Sequence, residues 1–236
     1  MEKTGLLEIR QLNVWYTPGN NVLSDFCADL HSHEVVGLIG LNGAGKTTFI
    51  KTLSGILDTY NADSIRWKGR PLAFRAREFK RNRYTVFSDD AAFCYFTFRE
   101  YLAYAAASYG RTATDVDSLI GGFHFEAYTD TLLGELSTGN MKKACLITAF
   151  ALKPELLLLD EPVNGLDFQS TEYLYTLING YRAYGTILFS SHILESICLT
   201  SDRVLVLEDG RITRTFRGND IDSESIREVL RYDGSI

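Results

Sequence analysis

Residues 40–47 read Gly40-Leu41-Asn42-Gly43-Ala44-Gly45-Lys46-Thr47: a glycine, four residues of any kind, then Gly-Lys-Thr. A chain carrying this pattern has little freedom in its local fold. The glycines let the backbone curl until successive N–H groups point at one centre, which binds the phosphates of a nucleotide. Gly40, Asn42, Gly43, Ala44 and Gly45 form that curl, and Thr48 carries it into the next element. Lys46 reaches the β- and γ-phosphates, and the Thr47 hydroxyl is a ligand for Mg²⁺. Such a loop has to link a strand to a helix N-terminus, where the anion meets the helix dipole. The flanks comply. Val35 to Ile39 is a short apolar run of β type, and Thr48 to Leu53 can continue as a helix.

At 236 residues the chain can bury a full core, as one domain or two closely joined lobes. It holds 24 Lys+Arg against 30 Asp+Glu, a net charge of −6 with no basic block, which argues against a nucleic-acid partner. Cys27, Cys94, Cys145 and Cys198 are far apart and read as reduced thiols, not as a disulfide frame or a metal site. The segment Met1 to Gly5 has no apolar signal. The longest apolar run, Ala144 to Leu152, is too short to span a bilayer. Any work at a membrane requires a second chain that spans it.

Leu7 to Val14 and Val22 to Leu30 read as strands around the turn Thr17 to Asn21. Further strands are expected at Ser64 to Trp67 and Tyr84 to Phe87. From residue 97 the period changes: Phe98, Tyr101, Leu102, Ala105 and Tyr109 share one helical face. A mostly helical stretch follows to Leu152, interrupted at Gly121-Gly122. Helices are also expected from Ser170 and after His192, with strands at Leu156 to Leu159 and Thr186 to Phe189. Val204 to Leu207 and Arg211 to Phe216 flank Glu208-Asp209-Gly210 as a hairpin. The predicted organisation is an α/β nucleotide core with a helical insertion.

Leu156 to Leu159 runs into Asp160-Glu161. Four consecutive leucines suit a parallel strand buried on both faces, and ligands sit at the C-terminal end of such strands. There Asp160 would hold Mg²⁺ opposite Thr47, and Glu161 could polarise the attacking water. Leu136-Ser137-Thr138-Gly139-Asn140 precedes a long helix. Ser137 is a good N-cap, and Gly139 leaves backbone N–H groups open, which makes a second phosphate-binding surface. This segment resembles the signature sequence of the ABC (ATP-binding cassette) ATPases, whose common form is Leu-Ser-Gly-Gly-Gln. Thr138 and Asn140 depart from that form.

The resemblance covers Leu7 to about Phe216 and implies the rest of the site. ATP and Mg²⁺ are the implied ligands, with Glu161, His192 and Lys46 as the catalytic set. Ser190-Ser191-His192 resembles the family's switch segment, in which the histidine contacts the γ-phosphate and keeps Glu161 and the water aligned. Tyr16 matches the aromatic that stacks on adenine, while its neighbour Trp15 would face the other way. Asn164-Gly165-Leu166-Asp167 resembles the D-loop at the dimer contact, with Asn164 in place of the usual Ser. Ser137, Thr138 and Gly139 of one subunit would close over the ATP held by another, in a homodimer or a heterodimer. The loop that usually offers a Gln to Mg²⁺ falls at Ser88 or Asp89, where no Gln is present. Phe93-Cys94-Tyr95-Phe96 lies where the family docks a membrane permease.

The implied fold is a P-loop NTPase core of ABC type, a mixed sheet with an N-terminal antiparallel β subdomain, plus an inserted helical subdomain. The expected division is one domain over residues 1–236, with the core at 1–87 and 153–236 and the helical part at 88–152. The implied function is the ATP-hydrolysing subunit of a transporter, peripheral on the cytoplasmic face of the membrane. It would power a separately encoded integral membrane permease, with an exporter preferred. A non-transport single-cassette ATPase, of iron–sulfur assembly type for example, and an importer subunit are the alternatives. A P-loop kinase or GTPase is disfavoured by Leu136 to Asn140, by His192 and by the missing Asn-Lys-x-Asp sequence.

Overall fold

The computed structural model describes residues 4–87 and 93–232. β1 (Gly5–Thr17) and β2 (Asn20–His31) alternate inward and outward side chains and pair antiparallel across the Pro18-Gly19 turn. β3 (Val35–Ile39), buried throughout, leads into the phosphate loop and α1 (Lys46–Leu53). The short strands β4 (Tyr60–Asn61), β5 (Ser64–Trp67) and β6 (Arg70–Pro71) complete an antiparallel sheet of order β2-β1-β5-β6, with β4 also paired to β1. After α2 (Arg77–Asn82) and β7 (Arg83–Val86) come the helices α3 (Phe98–Tyr109), α4 (Val116–Gly122) and α5 (Thr138–Leu152). The chain continues as β8 (Leu156–Asp160), α6 (Phe168–Gly180), β9 (Thr186–Ser190) and α7 (Leu194–Thr200). It closes with the hairpin β10 (Arg203–Glu208) and β11 (Arg211–Arg217), then α8 (Ser223–Tyr232). The second sheet has the order β11-β10-β3-β9-β8-β7, parallel except for the β10–β11 pair. This is the mixed α/β fold expected from the loop and its flanks.

The leucine run shows why the sheet lies at the centre. Leu156 and Leu158 point into a core shared with β1, β2 and α1, where Phe26 packs on Phe49. Leu157 and Leu159 point into a second core built by the helices. Val36 and Leu38 of β3, and Ile187 and Phe189 of β9, divide between the two cores in the same way. Burying each such side chain contributes about 1.5–3 kcal/mol, and this fixes the strand ends that carry the polar site.

Two details differ from the sequence pattern. α6 starts at Phe168, two residues before the expected Ser170, because Asp167 caps it by accepting the Ser170 N–H at 2.8 Å. The interruption expected at Gly121-Gly122 is the end of α4. A Cβ at Gly122 would lie 2.1 Å from the Tyr173 ring, so glycine permits that packing. α2 has no periodic signal, because Phe79 is its only apolar residue; that ring is fully buried, edge-on to Trp67 at 5.0 Å. α3 matches the pattern. Thr97 and Glu100 form a reciprocal capping box at its start, and Phe98, Tyr101 and Ala105 are buried.

Candidate nucleotide-binding site

The phosphate loop leaves the buried end of β3 and turns directly into α1. Gly45, the residue before the helix, has φ of 110°, and no side chain caps the first turn. A Cβ there would be strained in φ and would meet Leu23 Cδ2 at 2.7 Å. The open N–H groups of this turn fit a phosphate chain. Asn42 and Gly43 are exposed at the mouth, and the Ala44 N–H donates to Leu41 O at 3.2 Å. The buried Lys46 ammonium donates to Gly40 O at 2.7 Å and to Leu41 O at 3.2 Å. Burial lowers its pKa, opposed by the charges of Glu161 and Asp160. Tyr16, at the end of β1, exposes its ring while its hydroxyl lies 3.3 Å from Thr48 Oγ1. Trp15 is partly buried, as alternation requires.

Asp160 and Glu161 end β8 beside this loop. The Thr47 hydroxyl donates to Asp160 Oδ1 at 3.2 Å, so the two expected Mg²⁺ ligands are neighbours. A hydroxyl next to a carboxylate is a donor set suited to a hard divalent cation, with substrate phosphates completing the shell. Among the described residues no group of three or more His, Cys, Asp and Glu side chains forms a cation cage. Glu161 has φ of 48°, a left-handed conformation costing about 1–2 kcal/mol for a residue with a side chain. Its N–H donates to Ser190 Oγ at 2.9 Å, and Ser190 in turn donates to Asp160 Oδ1 at 2.7 Å. One hydroxyl therefore holds both acidic residues. The Glu161 Oε2 atom accepts the His192 N–H at 3.3 Å and lies 2.8 Å from His192 Nδ1. In the tautomer with its proton on Nδ1, the ring donates to the carboxylate.

The segment Ser137 to Gly139 opens α5. Ser137 Oγ accepts the Asn140 N–H at 3.3 Å, while Ser137 and Thr138 are exposed. Gly139 backs onto Gly165: a Cβ at Gly139 would meet Gly165 O at 2.5 Å. Two lysines of α5 tie it to neighbouring loops. Lys142 Nζ donates to Phe87 O at 2.9 Å, and Lys143 Nζ donates to Phe123 O at 3.0 Å and to Asp167 Oδ2 at 2.7 Å. Asp167 thus has two tasks inside the subunit, capping α6 and pairing with a buried ammonium. The Lys143 bond and then the Ser170 N–H hold its carboxyl well below the usual range. A depressed carboxyl stabilises the fold fully above its ordinary pKa near 4, and this is lost only as the pH falls below that value. Asp167→Asn keeps an N-cap but removes the charge. It is expected to lower unfolding stability at neutral pH by about 1–2 kcal/mol, the carboxylate being half exposed, and to flatten the acid limb of the stability curve. Denaturant melts of both proteins across the acid range check this, and parallel curves would exclude the ion pair as the cause.

Neither Ser190, named only within the segment that ends at His192, nor Lys143 was assigned a role of its own from the sequence. The signal for Ser190 was a hydroxyl at the end of a buried strand, in register with Asp160. For Lys143 it was a charge inside a helix with hardly a polar face. Ser88 and Asp89 lie outside the described residues.

This set of loops can be compared with known proteins. The ABC transporter family model matches residues 23–164. The chain belongs to the ABC transporter family. It is 33% identical over 216 residues to the putative ABC transporter ATP-binding protein AlbC of Bacillus subtilis (strain 168), covering 89% of this chain and 90% of that protein. It is 36% identical over 183 residues to the Nod factor export ATP-binding protein I of Burkholderia pseudomallei (strain 1710b), covering 75% of this chain and 60% of that one. A solved structure described as the ATP-binding subunit of an ABC transporter superimposes with a TM-score of 0.82 at 30% identity, covering 98% of this chain and 95% of that chain. The chain is an ATP-binding subunit of the family and an ATPase. Among the described residues no helix is long and apolar enough to cross a membrane.

Proposed function

We propose that this subunit hydrolyses ATP with Glu161 as the base that polarises water, and that it drives an export permease through closure of an ATP-bound dimer. The observation that carries the reading is the Glu161 carboxylate. It is fixed by a strained backbone and by Ser190, sits against His192, and lies one residue from the Asp160 that meets Thr47. In this reading Lys46 and the N–H groups of Gly43, Ala44, Gly45, Thr47 and Thr48 hold the phosphates. Tyr16 stacks on the adenine, and its exposed ring leaves a face for that contact. Thr47 and Asp160 would hold Mg²⁺, which supplies neutralisation of phosphate charge. His192 orients Glu161 and senses the γ-phosphate. Ser137, Thr138 and Gly139 close over the nucleotide of a second subunit, with Asp167 and its loop at the contact. Residues 88–152 act as the helical lobe that carries the signature toward the partner.

The export direction is supported by the likeness to the export ATP-binding protein over three quarters of this chain. A permease partner is supported by exposed aromatics: Tyr95 is 86% exposed and Tyr104 49%. Exposed aromatic rings suit a docking surface. Mild-detergent purification of the tagged protein from native membranes is expected to bring down a multi-spanning protein and no extracytoplasmic binding protein. Recovery with only soluble partners would contradict the transport reading. Tyr95→Asp is expected to reduce permease recovery by about tenfold while leaving ATP binding intact. Undiminished recovery would remove Tyr95 from the interface.

A further inference from the structure

β9 lies inside the second sheet, between β3, which feeds the phosphate loop, and β8, which carries the acidic pair. Its last residue, Ser190, stands opposite Leu38 of β3 on one side and Asp160 of β8 on the other. Ile187, Leu188 and Phe189 before it are buried core, and Ser190 is itself fully buried. Packing alone favours another apolar residue at this position. A buried hydroxyl is costly unless hydrogen bonds satisfy it. Here they do, and both partners belong to the nucleotide site.

Ser190 donates its proton to Asp160 Oδ1 at 2.7 Å, the same oxygen that accepts from Thr47 at 3.2 Å. Its oxygen accepts the Glu161 N–H at 2.9 Å. A hydroxyl that donates to a carboxylate becomes a better acceptor, so the two bonds reinforce each other. Glu161 needs that hold, because a φ of 48° persists only where its surroundings over-determine it. Once released, the residue relaxes toward negative φ, and its carboxylate leaves the position 2.8 Å from His192 Nδ1.

The neighbouring hydroxyl is committed elsewhere. Ser191 Oγ accepts the Ile193 N–H at 3.0 Å and lies 2.8 Å from the Ser196 hydroxyl, which fixes the turn that carries His192. Of the two consecutive serines, Ser190 serves the acidic pair and Ser191 the histidine turn.

We infer that Ser190 is a positioning residue for ATP hydrolysis, tying the carboxylate that faces Thr47 to the backbone of Glu161, so that the base is in place only while Asp160 is. The inference rests on the reading of Glu161 as the base, and it adds the residue that couples the base to the Thr47–Asp160 pair.

The test uses Ser190→Thr and Ser190→Val, which have the same shape and differ in the hydroxyl, with Ser190→Ala beside them. In the valine and alanine variants kcat is expected to fall about 10–100-fold, with binding of a non-hydrolysable ATP analogue within about threefold of wild type. The threonine variant should be at least about tenfold faster than the valine variant. Equal rates for the two overturn the inference. If the added methyl does not fit the buried site, seen as a lost melting transition, Ser190→Ala decides through a double-variant cycle. On the Glu161→Gln background Ser190→Ala should cost less than about threefold, because no base is left to position. Losses that multiply in the double variant show a general structural defect and overturn the inference. A readout without nucleotide is hydrogen exchange at the Glu161 amide, expected to be at least about tenfold faster in Ser190→Ala than in wild type. Unchanged exchange overturns it too. Near-normal turnover of Glu161→Gln ends the base reading and this inference together. A slow Glu161→Gln enzyme beside a fully active Ser190→Ala enzyme ends this inference alone.

Discussion

Replacing Glu161 by Gln is expected to slow ATP hydrolysis about 10²–10⁴-fold while ATP binding persists. The substitution is nearly isosteric, so the surrounding structure has little reason to move. The backbone clamp survives, because Ser190 accepts from the Glu161 N–H and not from its side chain. The Asn164 N–H still donates to the residue 161 carbonyl at 3.3 Å, so the turn into the next loop is kept. What disappears is the negative, proton-accepting oxygen next to His192. The loss amounts to about 3–5 kcal/mol of barrier, all of it at the chemical step. Phosphate release at saturating ATP, measured beside equilibrium ATP binding, separates the two effects. Near-normal turnover in the variant would remove Glu161 from its role.

Lys46→Ala should act one step earlier and weaken ATP binding itself by about 10–100-fold, with hydrolysis lost in consequence. The ammonium is buried among loop carbonyls and carries the only described lysine charge inside the phosphate loop. A charge-assisted hydrogen bond in such a setting contributes about 1.5–3 kcal/mol, which is the expected loss of affinity. The variant also frees the Gly40 and Leu41 carbonyls, so a slightly lower melting temperature without nucleotide accompanies the effect. Equilibrium binding of ATP to the folded variant decides the point. Wild-type affinity combined with lost turnover would instead make Lys46 a group that acts only on the reacting phosphate.

The parts of this structure legible in the sequence are those set by short-range rules. The phosphate loop, the two-faced leucine strand and the hairpin at Asp209-Gly210 each depend on a few adjacent residues. All three appear in the fold as expected. Alternation also sorted Tyr16 from Trp15, the first exposed and the second partly buried. α2 was not legible, because a six-residue helix with one apolar side chain carries no period. Ser190 was not legible as a clamp, because its partners are set by the pairing of β8 with β9, Asp160 opposite Ser190. The burial of the α5 lysines was not legible, because Phe87, Phe123 and Asp167 reach them from distant parts of the chain. In the site, residue types and spacing pointed to loops that the fold brings together around Lys46, Asp160 and Glu161, while the hydrogen bonds that orient them came only with the tertiary fold.

The most direct test of the central claim is the size of the Glu161→Gln protein in solution, measured by sedimentation with and without Mg²⁺ and ATP. Our account requires monomers without nucleotide and a stable dimer with it, because an intact γ-phosphate would bridge the phosphate loop of one subunit and Ser137 to Gly139 of the other. A protein that binds ATP yet remains monomeric at every nucleotide concentration would contradict it.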